Sequence, residues 1–428
     1  MIKRNNKKGF TIVELVIVIA VIAILAAVLI PTFAGIIKKA NLSADQQAVR
    51  QMNVALATAS AEKAPANIDD ATKILVDAGY NADKTLVPVT SNHSFYWYET
   101  YNLIVLVNEK DSSVVFPTDN DDVIANFAAD KAAGKLHNLK VARSKTEASA
   151  DSFADVLKKG NNVTLTEALN VAKPTEKFEH NGKAAFVATV VPDGETVSID
   201  LGEKTLKSET NDTYALGVAG EVYIDNGTIS SRGIYVYPGA KLVLGENVKV
   251  EASGDNGGSS IRNYGGVIIV NGGEYSVADA KTLDSVTNET VKDQPQAVFC
   301  DGGYLEINGG TFNGNDTLAY VVYAASATVV INDCTLTAER GALNFFNSSV
   351  TINGGNFTNN YATSGYALYY EASGSNYSLT VNGGTFTNTA GGHVACIVVD
   401  ENVNVSISES VLTKTSESGS NVYYKSAK

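Results

Sequence analysis

Glu14 is the first residue whose surroundings call for chemistry. It stands at the head of an apolar run, Leu15 to Ile30, sixteen residues without a charge or a polar side chain. Counted from Phe10, the run reaches about 30 Å as an α-helix, enough to cross the hydrocarbon of a bilayer. A carboxylate in such a helix costs on the order of 2.5–3.5 kcal/mol near the centre, less near an end, and usually has a functional partner. A secretory signal peptide or a plain membrane anchor supplies none, although the Ala-rich stretch from Ala23 to Ala27 imitates a signal-peptidase site. Lys3, Arg4, Lys7 and Lys8 precede the run and outweigh Lys38 and Lys39 after it. This asymmetry leaves the N-terminus cytoplasmic and the remainder outside.

Elsewhere the reactive side chains are dispersed. Asp301, Asp333, Glu339, Arg340 and Asp400 have the chemistry of glycan cleavage, which needs paired acids or an acid beside a base at set separations. They do not occupy one repeated position, and Arg232, Arg262 and Arg340 are the only arginines of the C-terminal region, so structural roles are expected and no enzyme. His93, His137, His180 and His393 are scattered without a Ser/His/Asp pattern. Asp119-Asn-Asp-Asp122 offers oxygens for calcium but lacks an EF-hand loop and its distal Glu; a helix N-terminus is expected there instead. Cys300, Cys334 and Cys396 are odd in number and far apart, with no zinc spacing. They are expected as small core residues, with one disulfide left open. No cofactor and no metal are expected. Tyr320, Tyr323, Tyr361, Tyr366, Tyr369 and Tyr370 could stack on sugar rings or ladder along a repeat.

The elements that must position these groups begin with a helix continuing to about Glu62. Leu42, Val49, Met52, Leu56 and Ala59 form one apolar stripe, with Asp45, Gln46, Arg50 and Asn53 mostly away from it. A coiled-coil partner could use the stripe; a sheet from the same chain is the expected target. Asp69 to Ala78 reads as a short helix closed by Gly79. Thr85–Val89, Ser94–Tyr98, Asn102–Asn108 and Ser113–Pro117 read as short strands, with a hairpin turn at Asn108–Asp111. Phe95, Tyr96, Trp97 and Tyr98 could form a ligand-stacking face, but strand alternation buries about half of them and a core role is expected. Residues 123–150, rich in Ala and Lys, suit an exposed connecting helix or linker.

The C-terminal two-thirds repeats. Val267-Ile-Ile-Val-Asn-Gly-Gly-Glu-Tyr275 returns as Leu305–Phe312, Val350–Phe357 and Leu379–Phe386, with weaker copies at Val222–Ile229, Val329–Leu336 and Val405–Leu412. Each copy is a short alternating strand, an Asn-Gly bend, and an aromatic or Leu returning to the core. One copy cannot bury itself, but a stack can. The short period and β-branched content predict an all-β right-handed parallel β-helix rather than a propeller or a helical solenoid. Ser152–Gly160 reads as a short amphipathic helix over its first turn.

Lys8-Gly9-Phe10-Thr11-x-x-Glu14, followed by an apolar helix, resembles the class III signal of type IV pilins and pseudopilins. The resemblance implies that a prepilin peptidase cuts between Gly9 and Phe10 and that Phe10 becomes the N-methylated first residue. It also implies that Glu14 accepts the charged amine of a neighbouring subunit during assembly. Pro31 matches a helix-disrupting proline of that family and could let the helix loosen in a filament. The motif spans only about thirty residues. The C-terminal region is similar to the pectate-lyase-like β-helix domains of bacterial surface proteins, without a matching catalytic motif. The expected organisation is a leader (1–9), an N-terminal helix (10–64, in the membrane or a filament core to about residue 30), a small α+β pilin-like sheet region (65–118), a linker (119–150) and the β-helix (151–428). The expected function is a structural subunit of a type IV pilus or similar extracellular filament, displaying the β-helix for adhesion or surface interaction. Its expected partners are other pilin subunits, the peptidase and assembly machinery, the membrane before assembly, and a glycan or other surface ligand. The alternative is a surface-anchored polysaccharide-binding or polysaccharide-degrading β-helix. Basic residues number 33 against 46 acidic, and loss of the four leader cations leaves a formal charge of −17. So acidic a chain is a poor direct binder of nucleic acid.

Overall fold

The computed structural model describes residues 12–149, 152–253, 259–278, 296–314, 320–338, 341–360, 366–374, 376–388, 396–400, 403–414 and 422–425; for 12–35, 278, 413–414 and 422–425 it describes the backbone alone. The chain forms two units, one up to Ala125 and one from Asn126.

In the first unit a 49-residue helix, α1 (Ile12–Ser60), runs unbroken through Pro31. Its C-terminal half lies on an antiparallel sheet of β1 (His93–Tyr98), β2 (Leu103–Asn108) and β3 (Ser113–Phe116), registered through Phe95↔Leu106 and Trp97↔Ile104. Val49, Met52 and Leu56 are fully buried, as the stripe predicts, whereas Leu42 and Ala59 are half-buried. Phe95, Tyr96, Trp97 and Tyr98 are all buried, so both sides of β1 are covered. Asp45 and Asn53 depart from the expected polar face. The Asp45 carboxylate, 2% exposed, accepts the backbone N–H groups of Val89 (2.7 Å) and Thr90 (2.8 Å). The Asn53 amide brackets Ile104, accepting its N–H at 2.6 Å and donating to its carbonyl at 3.0 Å. Asn53 thus clamps the helix to the sheet and Asp45 clamps it to the 89–90 loop, satisfying backbone groups that burial would otherwise leave unpaired. The helix α2 (Ile68–Asp77) is capped by Asn67, whose side chain accepts from Asp70 N, and buries Ile68, Ala71 and Leu75. The turn at Asn108–Asp111 is tied by its own side chains to Lys110 N and Ser113 N. The acids at 119–122 open α3 (Asp121–Ala132), with Asn120 accepting from Val123 N at 3.1 Å.

The second unit is a parallel β-solenoid. Three sheets run its length, and the third has ten strands, from Val187–Val191 to Val422–Lys425. The first carries the strand that precedes each Asn-Gly bend, the second the strand that follows it. Repeats stack in phase: Ile268 on Leu305, Leu305 on Val329, Val329 on Val350, Val350 on Leu379. A one-residue slip would turn this column outward, so the burial of one side sets the register. On the second sheet Tyr275 stacks on Phe312 (4.7 Å) and Phe357 on Phe386 (4.8 Å), all fully buried.

Two details of the repeat differ from expectation. The left-handed backbone falls on the second glycine of each pair, at φ +92° for Gly273, +104° for Gly310, +114° for Gly355 and +105° for Gly384. Asp333 thus replaces a first glycine, which has no such φ, and Cys334 stands at the second position without it. In the final copy, Ser408-Glu-Ser410 lacks the bend, and the expected returning strand is instead a short helix, α5 (Glu409–Lys414), with Val411 fully buried.

Residues 134–148, expected as an exposed linker, are bound to the solenoid. Thr146–Ala148 pairs in parallel with Val163–Leu165, ahead of the covering helix α4 (Phe153–Lys158), whose Phe153 and Leu157 are fully buried. Before it, a strap made of a short strand (Leu136–Asn138) and a 3-10 turn (Leu139–Ala142) crosses the first sheet along the solenoid axis. Lys140 pairs with Glu195 (3.2 Å), Lys241 donates to Leu136 O, and Lys135 pairs with Glu306 (3.1 Å). Gly134 approaches Ile269 so closely that an added Cβ would lie 2.6 Å from its Cδ1. The low density of large apolar side chains that suggested exposure is met here by ion pairs and backbone hydrogen bonds beside the buried Leu136 and Leu139.

Candidate functional site

Gly9 and Phe10 lie outside the described residues. Glu14 and Pro31 are placed on α1, their side chains outside the described set. Among the described residues no helix is long and apolar enough to cross a membrane, and the run from Leu15 to Ile30 is described in its backbone alone. What the structure adds is the free side of α1. Ile37, Ala40, Ala44, Gln47, Gln51 and Val54 are all exposed, spaced alternately by three and four residues, and none is charged. Ile37 is 58% and Val54 67% exposed. This spacing is that of a helix–helix seam, and extended upstream it falls on Phe33 and Ile30.

On the solenoid, the described candidate acids lie on the third sheet and at one bend. Asp301 ends a strand of the third sheet in a column that continues through Ala325 and Phe346 to Glu371. Three inter-strand steps separate the two acids by about 14 Å, beyond the roughly 5–9.5 Å spanned by glycosidase pairs. Asp333 is at the bend between the first and second sheets, Asp400 ends another strand of the third, and Glu339 and Arg340 lie outside the described residues. His93, His137 and His180 sit on different elements, and His393 is outside. Among the described residues no group of three His, Cys, Asp or Glu side chains is placed to hold a metal. The three cysteines are free and buried; burial pushes the Cys300 and Cys334 thiols up to about 12, so they remain protonated and unreactive.

The outward side of the third sheet is the distinctive surface. At its early end a hairpin, Phe178–His180 with Lys183–Ala185, packs over Tyr214, Tyr235 and Tyr237, and burial raises the phenol pKa of Tyr235 and Tyr237. From there aromatic rings continue in steps of 5.4–5.6 Å through Tyr264 and Phe299 to Tyr323. The Arg262 guanidinium lies 4.5 Å over Phe299 and donates to the Tyr264 hydroxyl. Beyond Tyr323 the column runs through Asn344 to Tyr369. Here Tyr320, Tyr366 and Tyr369 are half-buried, Phe346 is 39% exposed, and Tyr366 and Tyr369 have ring centroids 5.3 Å apart. The Tyr369 hydroxyl donates to Glu371 at 2.7 Å. Tyr370, grouped by sequence with the others, points inward and is fully buried; Tyr361 lies outside the described residues. Asn344 and Phe346 carried no sequence signal of their own; only the strand register brings them beside the tyrosines.

A second column runs along the bends of the first sheet. Asn271, Asn308, Asn332, Asn353 and Asn382 each precede a bend, and each amide after the first donates to the side-chain oxygen of the one before it, at 3.1, 2.7, 2.8 and 2.9 Å. The recurring Asn of the repeat is thus a side-chain ladder as well as a bend former.

Residues 4–30 match the family model of the prokaryotic N-terminal methylation motif. Over 37 residues the chain is 65% identical to the Type IV wide pilus major component PilA4 of Thermus thermophilus, a stretch that makes up 9% of this chain and 28% of that protein. The chain therefore spans less than a third of the length of the curated relative it matches. No solved structure matches it.

Proposed function

We propose that the chain is a subunit of a type IV pilus-like extracellular filament. It is made as a membrane-inserted precursor with a cytoplasmic N-terminus, cleaved between Gly9 and Phe10, and assembled through α1 so that the solenoid is displayed for adhesion. The observation that carries this reading is the methylation motif at residues 4–30 at the head of a long helix. The uncharged exposed side of that helix supports it, since an exposed apolar stripe on a helix otherwise lacks a partner. In this reading the amine released at Phe10 compensates Glu14, and pairing between subunits sets their axial stagger, because any other register leaves a charge unpaired in an apolar medium. The solenoid is a display element and not a catalyst; the dispersal of Asp301, Asp333 and Asp400 favours this.

Mass spectrometry of the mature N-terminus tests the proposal. A methylated Phe10 is expected; a terminus near Ala27 would overturn it. In the same assay Glu14→Gln is still cleaved, but its incorporation into sheared filaments falls sharply.

A further inference from the structure

Asn271, Asn308, Asn353 and Asn382 of the ladder are each followed by glycine, which frees the bend but also sets up a reaction. The glycine nitrogen attacks the Asn Cγ, a C–N bond closes a five-membered succinimide, and the side-chain nitrogen leaves as ammonia, taking the glycine's proton. Water then opens the ring at one of its two carbonyls, giving aspartate or isoaspartate. Attack needs the side chain to swing until Cγ faces the glycine nitrogen, so a side chain fixed in another pose reacts slowly. In the ladder that pose is fixed. Asn308 and Asn353 each donate to the residue before, at 3.1 and 2.8 Å, and accept from the residue after, at 2.7 and 2.9 Å. Asn271 is the open foot: it accepts from Asn308, but its own nitrogen donates to nothing among the described residues, and it is exposed. We propose that the ladder guards the Asn-Gly bends against spontaneous deamidation, and that Asn271 is the site where this modification occurs.

The nucleophile does not distinguish these sites. The N–H groups of Gly272, Gly309 and Gly354 alike make no hydrogen bond among the described residues, so the difference lies in the Asn side chain. Asn382, at the other end of the ladder, keeps one bond through its nitrogen and falls between the two classes. Elsewhere the same dipeptide is held by other means. Asn226 donates to Asp200 at 3.1 Å, and the Gly227 N–H donates to Asn247 O at 3.0 Å. Asn181 is tied to Pro238 O at 3.1 Å. Asn313 and Gly314 lie in a strand paired on both sides, so their backbone is fixed by the sheet. Asn256-Gly257 is outside the described residues. The products differ in consequence. Aspartate at 271 still accepts from Asn308, with one more negative charge on an acidic chain. Isoaspartate lengthens the backbone just ahead of Gly273, at φ +92°, and of Tyr275, whose hydroxyl donates to Gly272 O at 2.9 Å. The inference goes beyond the filament reading and does not depend on it.

The full chain in detergent is aged in mildly alkaline buffer and digested with pepsin in acid, where cyclisation is slow. Mass spectrometry of the peptides then gives the conversion at each Asn. Asn271 is expected to convert at least tenfold faster than Asn308 and Asn353. Asn332→Ala removes the acceptor of the Asn353 amide and the donor to Asn308. Conversion at Asn353 then rises at least fivefold, while Asn226, whose glycine keeps its bond to Asn247, stays at the wild-type rate. Equal conversion of Asn271 and the interior residues would overturn the proposal. So would an unchanged Asn353 in the variant, or a rise shared by Asn226, which would trace the reaction to unfolding and not to the ladder. None of these results bears on processing at Phe10, so the two readings fail separately.

Discussion

At the scale of single residues, the strongest commitments are polar groups held by backbone. Asp45 takes two N–H groups of the 89–90 loop in a nearly buried setting. Asp45→Ala leaves both donors without acceptors and should destabilise the first unit by about 2–3 kcal/mol. Urea unfolding followed by fluorescence checks it, because Trp97 is the sole tryptophan and lies in that unit. The bend residues of the solenoid separate two effects. Asn332→Ala removes two links of an exposed ladder and should cost about 1 kcal/mol. Gly355→Ala forces a side chain to φ +114°, with its Cβ 2.8 Å from Phe357 Cζ and 3.0 Å from Cys334 O; about 2–3 kcal/mol is expected. The order of the two melting temperatures, with Gly355→Ala the lower, is the measurement.

At the scale of elements, the strap shows how a weakly apolar segment is bound. Glu306 is 5% exposed, accepts the Tyr304 hydroxyl at 2.5 Å and faces Lys135. Lys135→Ala strands a nearly buried carboxylate and should cost about 2 kcal/mol, less than a fully buried pair because Lys135 is partly solvated. Adding Glu306→Gln to Lys135→Ala should recover part of the loss, since the residual charge is then gone. A double-mutant cycle by denaturant unfolding reads the coupling, and strict additivity would show that the pair does not hold the strap. The same logic explains α4, where Phe153 and Leu157 cover the open face of the first strands that the solenoid could not otherwise bury.

At the scale of the whole molecule, two separate cores should report separately. Phe357→Ala opens a cavity in the stacked pair with Phe386 and should cost about 3–5 kcal/mol. Its effect is expected in the β-sheet circular-dichroism transition and not in Trp97 fluorescence; Asp45→Ala should do the reverse. Simultaneous shifts of both signals in either variant would mean that the two units unfold as one.

Much of this was legible in particular residues. The run from Leu15 to Ile30 with Glu14 at its head, and the recurring Asn-Gly-Gly, are signals carried by adjacent residues whose chemistry depends on local spacing. They were enough to reach a long helix, a stacked parallel solenoid and the methylation motif. Tertiary structure decided what depends on neighbours distant in the chain. Asp45 and Asn53 looked like a solvated face because their partners, Val89, Thr90 and Ile104, are more than forty residues away. The 134–145 strap looked like a linker because its apolar residues are few, Leu136 and Leu139 being the buried ones, and because Lys135 meets its acid 171 residues later. The column Tyr323–Asn344–Tyr369 emerged only from strand register, since a parallel stack joins residues one full turn apart, a distance that loop length alone sets and composition does not record.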